Sequence, residues 1–172
     1  DEQAGAVLLY RHFKHKVKNK NVRMHFVGHS AGGIVGSLML QRLADEGMRF
    51  ESVSFMAPAV RADLFAATLA PLIRKGTVAR YQQFSLTAQA EEDDPTCGPY
   101  RRSLLHLVAE SFEGGARQPI LGLEGDARAA LGALPNATLH LAPGARSKAS
   151  THGGFDEDDT TLRQVVRFIQ GG

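Results

Sequence analysis

Three residues held between two glycines carry the first chemistry in this sequence. Phe26-Val27-Gly28-His29-Ser30-Ala31-Gly32-Gly33 contains a Gly-x-Ser-x-Gly pentapeptide. A serine hydroxyl is a weak nucleophile until a base takes its proton and a donor receives the oxyanion it creates. The flanking residues supply the backbone for that chemistry. An apolar run, Met24 to Val27, reads as a strand, and a helical pattern follows Ser30 at once. Strand, sharp turn and helix is the order of a nucleophile elbow. Ser30 is then expected on the turn, in a strained conformation, with its hydroxyl above the sheet. Gly28 and Gly32 lack side chains where strand and helix pass close to each other. The Ala31 N–H, at the new helix's start, is the expected oxyanion-hole donor.

The elements that must hold this turn can be read in chain order. Residues 3–19 read as a helix with Ala6, Leu9, Phe13 and Val17 on one face, and Arg23 to Gly28 is the strand before Ser30. Residues 31–46 form a second helix, with Ile34, Val35, Leu38, Met39 and Leu43 as its apolar face and Gly47 as its stop. Ser52 to Ala57 is the next strand. Residues 62–74 are helical, and Pro71 should kink or split them. Val78 to Leu86 is a third strand. The polar segment Thr87 to Pro99 reads as a loop carrying Glu91, Glu92, Asp93 and Asp94. Residues 100–113 read as a strong helix with Leu104, Leu105, Val108 and Phe112 inward, and Pro119 to Leu123 is apolar without an assignment. Ala127 to Leu134 is a short helix, Ala137 to Leu141 the last strand, and Pro143 to Gly154 a loop bearing His152. A C-terminal helix over 158–170 has Leu162, Val165, Val166 and Ile169 at helical spacing, with Asp158 and Asp159 suited to its first turn. Strands alternating with helices predict an α/β fold, a doubly wound, mostly parallel sheet in one domain over 1–172.

Composition narrows the partners. The 172 residues suffice for one domain, burying about 70% of its unfolded surface. A net charge of +2 leaves no electrostatic footprint of nucleic-acid binding. The basic run Arg11, Lys14, Lys16, Lys18, Lys20 and Arg23 reads as the solvated end of a helix, and no aromatic residues interleave it as a single-strand binder would need. Cys97 is alone, so no intramolecular disulfide forms. The sequon Asn136-Ala137-Thr138 has no weight without evidence of secretion. No stretch is apolar and long enough to span a membrane, and no signal peptide is seen. That leans towards a cytoplasmic location without fixing it. No cofactor and no metal is expected.

These residues resemble the α/β-hydrolase superfamily. The resemblance runs over nearly the whole chain. It rests on Gly28-His29-Ser30-Ala31-Gly32, on the strand–helix alternation after it, and on Thr151-His152-Gly153-Gly154-Phe155 just before the last helix. It implies a serine hydrolase that cleaves an ester, thioester or amide through an acyl-enzyme, in the chain order nucleophile, acid, histidine. His152, beyond the last strand, matches the general base. Of the other six of seven histidines, His12, His15, His25, His106 and His140 sit on helices or strands and read as packing or surface residues, while His29, at the x position of the pentapeptide, is expected beside the nucleophile without acting as base. The family's acid follows the third strand from the elbow. Asp94 and Glu91 are the best placed there, with Asp93 next, and Asp94 is preferred. Asp126 is a rival, because Leu121-Gly122-Leu123-Glu124-Gly125-Asp126 also reads as strand, glycine, acid.

The chain departs from the family ahead of the elbow, where several strands are expected and one helix is found. It opens on Asp1 rather than Met, which fits a C-terminal portion of a larger hydrolase. The elbow strand should then have a bare edge, where Met24, Phe26 and Val27 invite self-association. The second oxyanion donor, which the family takes from a loop after an earlier strand, should be missing. The expected partner is a small-molecule acyl substrate. A non-catalytic binding protein on the same fold, or an acyltransferase using the same residues, are the alternatives.

Overall fold

The computed structural model describes residues 12–16, 22–112 and 116–171. Four strands, β1 (His25–His29), β2 (Ser52–Met56), β3 (Tyr81–Leu86) and β4 (Ala137–Ala142), form one all-parallel sheet in the order β1-β2-β3-β4. Parallel neighbours need crossovers, and helices supply them. After β1 comes α1 (Ala31–Asp45). After β2 come α2 (Ala62–Ala67) and α3 (Leu69–Arg74). After β3 come α4 (Ala88–Asp93), α5 (Leu104–Leu107) and α6 (Glu124–Leu131), and after β4 comes α7 (Asp159–Gln170). The fold is the expected doubly wound α/β arrangement.

Side chains alternate across a strand, so each face of the sheet has its own core. Val53, Phe55 and Tyr81 face Leu40 and Leu43 of α1, with Phe65, Leu69 and Ile73 of α2 and α3. Met56, Phe84, Leu86 and Ala142 pack with Phe155, just before α7, and with Val165 of α7. Every residue of β2 and β3 is buried, as strands covered on both sides must be. Their polar side chains therefore bond to one another. Gln82 donates to Ser54 Oγ at 2.9 Å, and Gln83 donates to the Leu121 carbonyl at 2.7 Å while accepting from the Tyr81 hydroxyl.

Several boundaries and faces differ from the sequence reading. On α1 the buried residues are Gly33, Gly36, Ser37, Leu40 and Leu43, while Val35 and Leu38 are 60% and 52% exposed. The helix leaves the elbow so close to the sheet that its inner face takes small residues. A Cβ on Gly36 would lie 2.5 Å from Phe26 Cε1, and one on Gly33 would lie 2.9 Å from Val60 Cγ2. On α7 Thr161 and Val165 are buried, and Leu162 and Val166 are exposed. The 62–74 helix splits at Thr68, and Pro71 sits inside the second piece. Proline has no N–H to bond to the carbonyl four residues back, and its ring clashes there, so the break falls just before α3. The third strand starts at Tyr81, with Val78 making only an isolated bridge to Phe50. The segment after β3 is not a plain loop: Thr87 accepts from the Ala90 N–H and caps α4. The 100–113 helix begins only at Leu104, after Arg101 in a left-handed conformation, and continues as a wider π-turn over Val108–Phe112. Of the 3–19 helix, 12–16 are helical and the rest lies outside the described residues.

Among the described residues β1 pairs with β2 alone. Phe13, Met24, Phe26, Met39 and Leu43 line an apolar hollow at the amino end of β1, away from Ser30.

One close contact at the elbow is main chain against main chain. A Cβ on Gly28 would lie 2.9 Å from the Gly32 carbonyl oxygen. Gly28→Ala should push α1 off β1 and destabilise by about 1–3 kcal/mol. At roughly 2–4 °C per kcal/mol for a chain of this size, thermal unfolding resolves it.

Candidate active site

The segments that follow β1, β3 and β4 meet over the carboxyl edge of the sheet, the edge at which open parallel sheets bind ligands. Ser30 follows β1 with φ 52° and ψ −117°. That conformation is strained for a residue with a side chain. It is held by the Ser30 N–H donating to the Met56 carbonyl at 2.9 Å and by the Ser30 carbonyl accepting from Gly33 and Ala59 at 3.0 and 3.1 Å. Ala31 is the first residue of α1, so its N–H is among those a helix cannot satisfy internally.

His152 opens a short 3-10 turn, His152–Phe155, after β4. The loop that delivers it is tied to the start of α7. Asp158 caps that helix through the Thr160 and Thr161 N–H groups and also accepts from the Lys148 N–H at 2.7 Å. Burial works against its charge, but the bonds from Thr161, Lys148 and Thr160 outweigh it and hold the carboxyl at about 2. His152 is 4% exposed, and its Nε2 lies 2.9 Å from Ser30 Oγ. A carboxylate-free imidazole nitrogen at that distance can accept the hydroxyl proton only if the ring's proton sits on Nδ1. Nδ1 is buried and has no hydrogen-bond partner among the described residues. Burial, helped by the neighbouring His29 and opposed by the Asp94 charge, pulls the ring down to about 4. It is therefore neutral at neutral pH, the state a base needs.

Of the sequence-proposed acids, Asp94 is the one bonded to His152. It is 1% exposed, and its Oδ2 accepts from the His152 main-chain N–H at 2.7 Å. Its other oxygen accepts from the Thr96 N–H at 2.9 Å and from the Thr96 hydroxyl, so Asp94-Pro95 also caps the turn that follows. The bond from Asp94 thus reaches the backbone of His152 and not the ring. Asp126 is elsewhere, accepting from Arg117 and from the Ile120 N–H, both at 3.0 Å. Asp93 is exposed and bonded to Gln89.

Glu91 is buried behind Asp94. Its Oε2 accepts from the Ser103 hydroxyl, and its Oε1 has no partner among the described residues. Desolvation raises its carboxyl to about 7, against the Ser103 bond and with the Asp94 charge adding to the rise. Of the other histidines, His25 bonds Ser52 Oγ at 2.7 Å and His140 packs on Phe84. His29 does more than the sequence reading assigned to it, since its Nε2 lies 2.9 Å from the His152 carbonyl oxygen. Only its place beside Ser30 could have signalled that. Among the described residues no group of three or more His, Cys, Asp or Glu could hold a metal, and no helix is long and apolar enough to cross a membrane.

Comparison with known protein families, with curated proteins and with solved structures finds no match.

Glu91 sets a stability trend with pH. A folded-state carboxyl raised to about 7 favours folding fully below its unfolded value near 4.5, and that contribution is lost as pH rises through about 7. Glu91→Gln keeps the neutral shape. It should raise the unfolding temperature at pH 8 by a few degrees, about 2–4 °C for each kcal/mol of burial penalty removed, and change it little at pH 5. Thermal melts at the two pH values check this.

Proposed function

We propose that the protein is a serine hydrolase resembling the α/β-hydrolases, acting on a small acyl ester. The observation that carries this reading is Ser30 Oγ at 2.9 Å from His152 Nε2, with Ser30 on a positive-φ turn between a parallel strand and a helix. In the proposed reaction Ser30 Oγ attacks the acyl carbonyl carbon while His152 Nε2 takes its proton. The Ala31 N–H donates to the oxyanion. The imidazolium then returns its proton to the leaving alcohol as the C–O bond breaks. Water, deprotonated by His152, attacks the acyl-enzyme and releases the acid and free Ser30. Asp94 takes the acid's role. It orients His152 through its main chain, and its charge favours the imidazolium.

The test is covalent labelling. A fluorophosphonate probe should modify the wild type at Ser30 and leave Ser30→Ala untouched. Hydrolysis of short p-nitrophenyl esters should fall about 10⁴-fold in that variant. A folded wild type that takes no label would refute the proposal and favour the non-catalytic binding protein. Asp94→Ala should lose most turnover, whereas Asp126→Ala, tied to Arg117, should lose little. Adding an alcohol acceptor and analysing products separates transfer from hydrolysis.

The pH profile has a defined sign. The base works only unprotonated, so the rate should fall as pH drops towards about 4 and stay level from there up to neutrality. An acid limb centred near the ordinary histidine value of about 6.5 would mean that the ring is not desolvated in solution.

A further inference from the structure

We infer that His29, the residue before the nucleophile, is a positioning residue that holds the main chain of His152 from the side opposite Asp94. This rests on the serine-hydrolase reading. Asp94 Oδ2 accepts from the His152 N–H at 2.7 Å, and His29 Nε2 lies 2.9 Å from the His152 carbonyl oxygen. A carbonyl has no proton to give, so Nε2 carries the hydrogen and His29 is the donor. One residue is thus gripped at both its main-chain polar groups, by a carboxylate from the β3 end and by an imidazole from the β1 end.

The grip has a physical purpose. His152 is followed by Gly153 and Gly154, residues with few backbone restrictions of their own. A base on such a segment needs an external hold, because a misplacement of about 1 Å can cost 10²-fold in rate. His29 is bonded covalently to Ser30, so the strand that sets the nucleophile also sets the base. The ring's own surroundings fix it in turn. Its Nδ1 faces Asp156 Oδ2 at 3.9 Å, and its centroid lies 5.4 Å from that of His152 and 6.5 Å from that of Phe155. The charged groups acting on His152 are His29 and Asp94, and the one paired with His29 is Asp156. A positive charge on His29 opposes protonation of His152.

The experiment compares His29→Gln, whose Nε2 keeps a donor at the same reach, with His29→Leu, which has none. Both are made in the full chain and checked for folding by thermal melts. Should His29→Leu not fold, His29→Asn, polar but too short to reach the carbonyl, replaces it. His29→Leu should lower kcat on p-nitrophenyl acetate and the fluorophosphonate labelling rate about tenfold, the scale of one hydrogen bond, with KM within about twofold. His29→Gln should recover to within about threefold of wild type. NMR titration of the His152 ring should move upward in both variants, because the imidazole whose charge opposes its protonation is gone. Hydrogen exchange at the His152 amide should speed up only in His29→Leu. Equal kcat in the two variants, or equal amide exchange, would overturn the assignment. A wild type that neither labels nor turns over would sink the hydrolase reading instead, and amide exchange would still decide whether His29 holds His152.

Discussion

The turn at Ser30 is the constraint on which the rest of the molecule depends. Its backbone sits where a side chain is disfavoured by about 1–3 kcal/mol. The surrounding sheet has to hold it there. Three main-chain hydrogen bonds, to Met56, Gly33 and Ala59, do so from both the neighbouring strand and the new helix. The turn sends α1 back across β1 at a distance that admits no side chain on Gly28. That closeness explains why α1 buries glycines and a serine and leaves Val35 and Leu38 outside. The strand fixes the helix's first residue and with it the face turned inward, which carries Leu40 and Leu43 further along and leaves Val35 and Leu38 outside.

The same geometry sets the electrostatics. The segments after three strands meet, and the Glu91, Asp94 and His152 side chains they carry are buried. His152 and Glu91 are both driven towards their neutral forms by desolvation, one downward to about 4 and the other upward to about 7. Asp94, between them, has both oxygens occupied, one by the His152 N–H and the other by Thr96. The site therefore concentrates its negative charge on one carboxylate whose main task is to hold backbone. In the proposed reaction that charge matters most when the imidazolium forms, since the buried Nδ1–H has no acceptor among the described residues and the charged ring is otherwise stabilised by field alone.

Much of the scaffold was legible because it is written locally. The apolar run before Ser30, the strand–helix alternation and the glycine after each break are short-range signals, and the four strands fall where they point. Caps are local signals of the same kind. Thr87 and the Asp94-Pro95 pair each start a turn by accepting main-chain N–H groups, so a segment that reads as polar loop is ordered. The buried strand Tyr81-Gln82-Gln83-Phe84-Ser85-Leu86 shows the opposite case. Its glutamines look solvated in the sequence, yet Gln82 donates to Ser54 and Gln83 to Leu121, residues distant in the chain, while Tyr81 and Ser85 of the same strand also bond Gln83.

What the sequence by itself determined is the order of strands and helices and the nature of the turn at Ser30. Both follow from hydrophobic period and from residues with unusual backbone freedom, which act over a few positions. What only the tertiary structure decided is which distant groups meet. Ser30 and His152 are 122 residues apart, Asp94 and His152 58, and His29 and His152 123. Four acids stood as rivals in the sequence because charge alone does not distinguish a solvated loop residue from a buried acceptor. Burial and the direction of a hydrogen bond make that distinction. Both arise only when the segments after β1, β3 and β4 fold together over the carboxyl edge of the sheet and exclude water from the space between them.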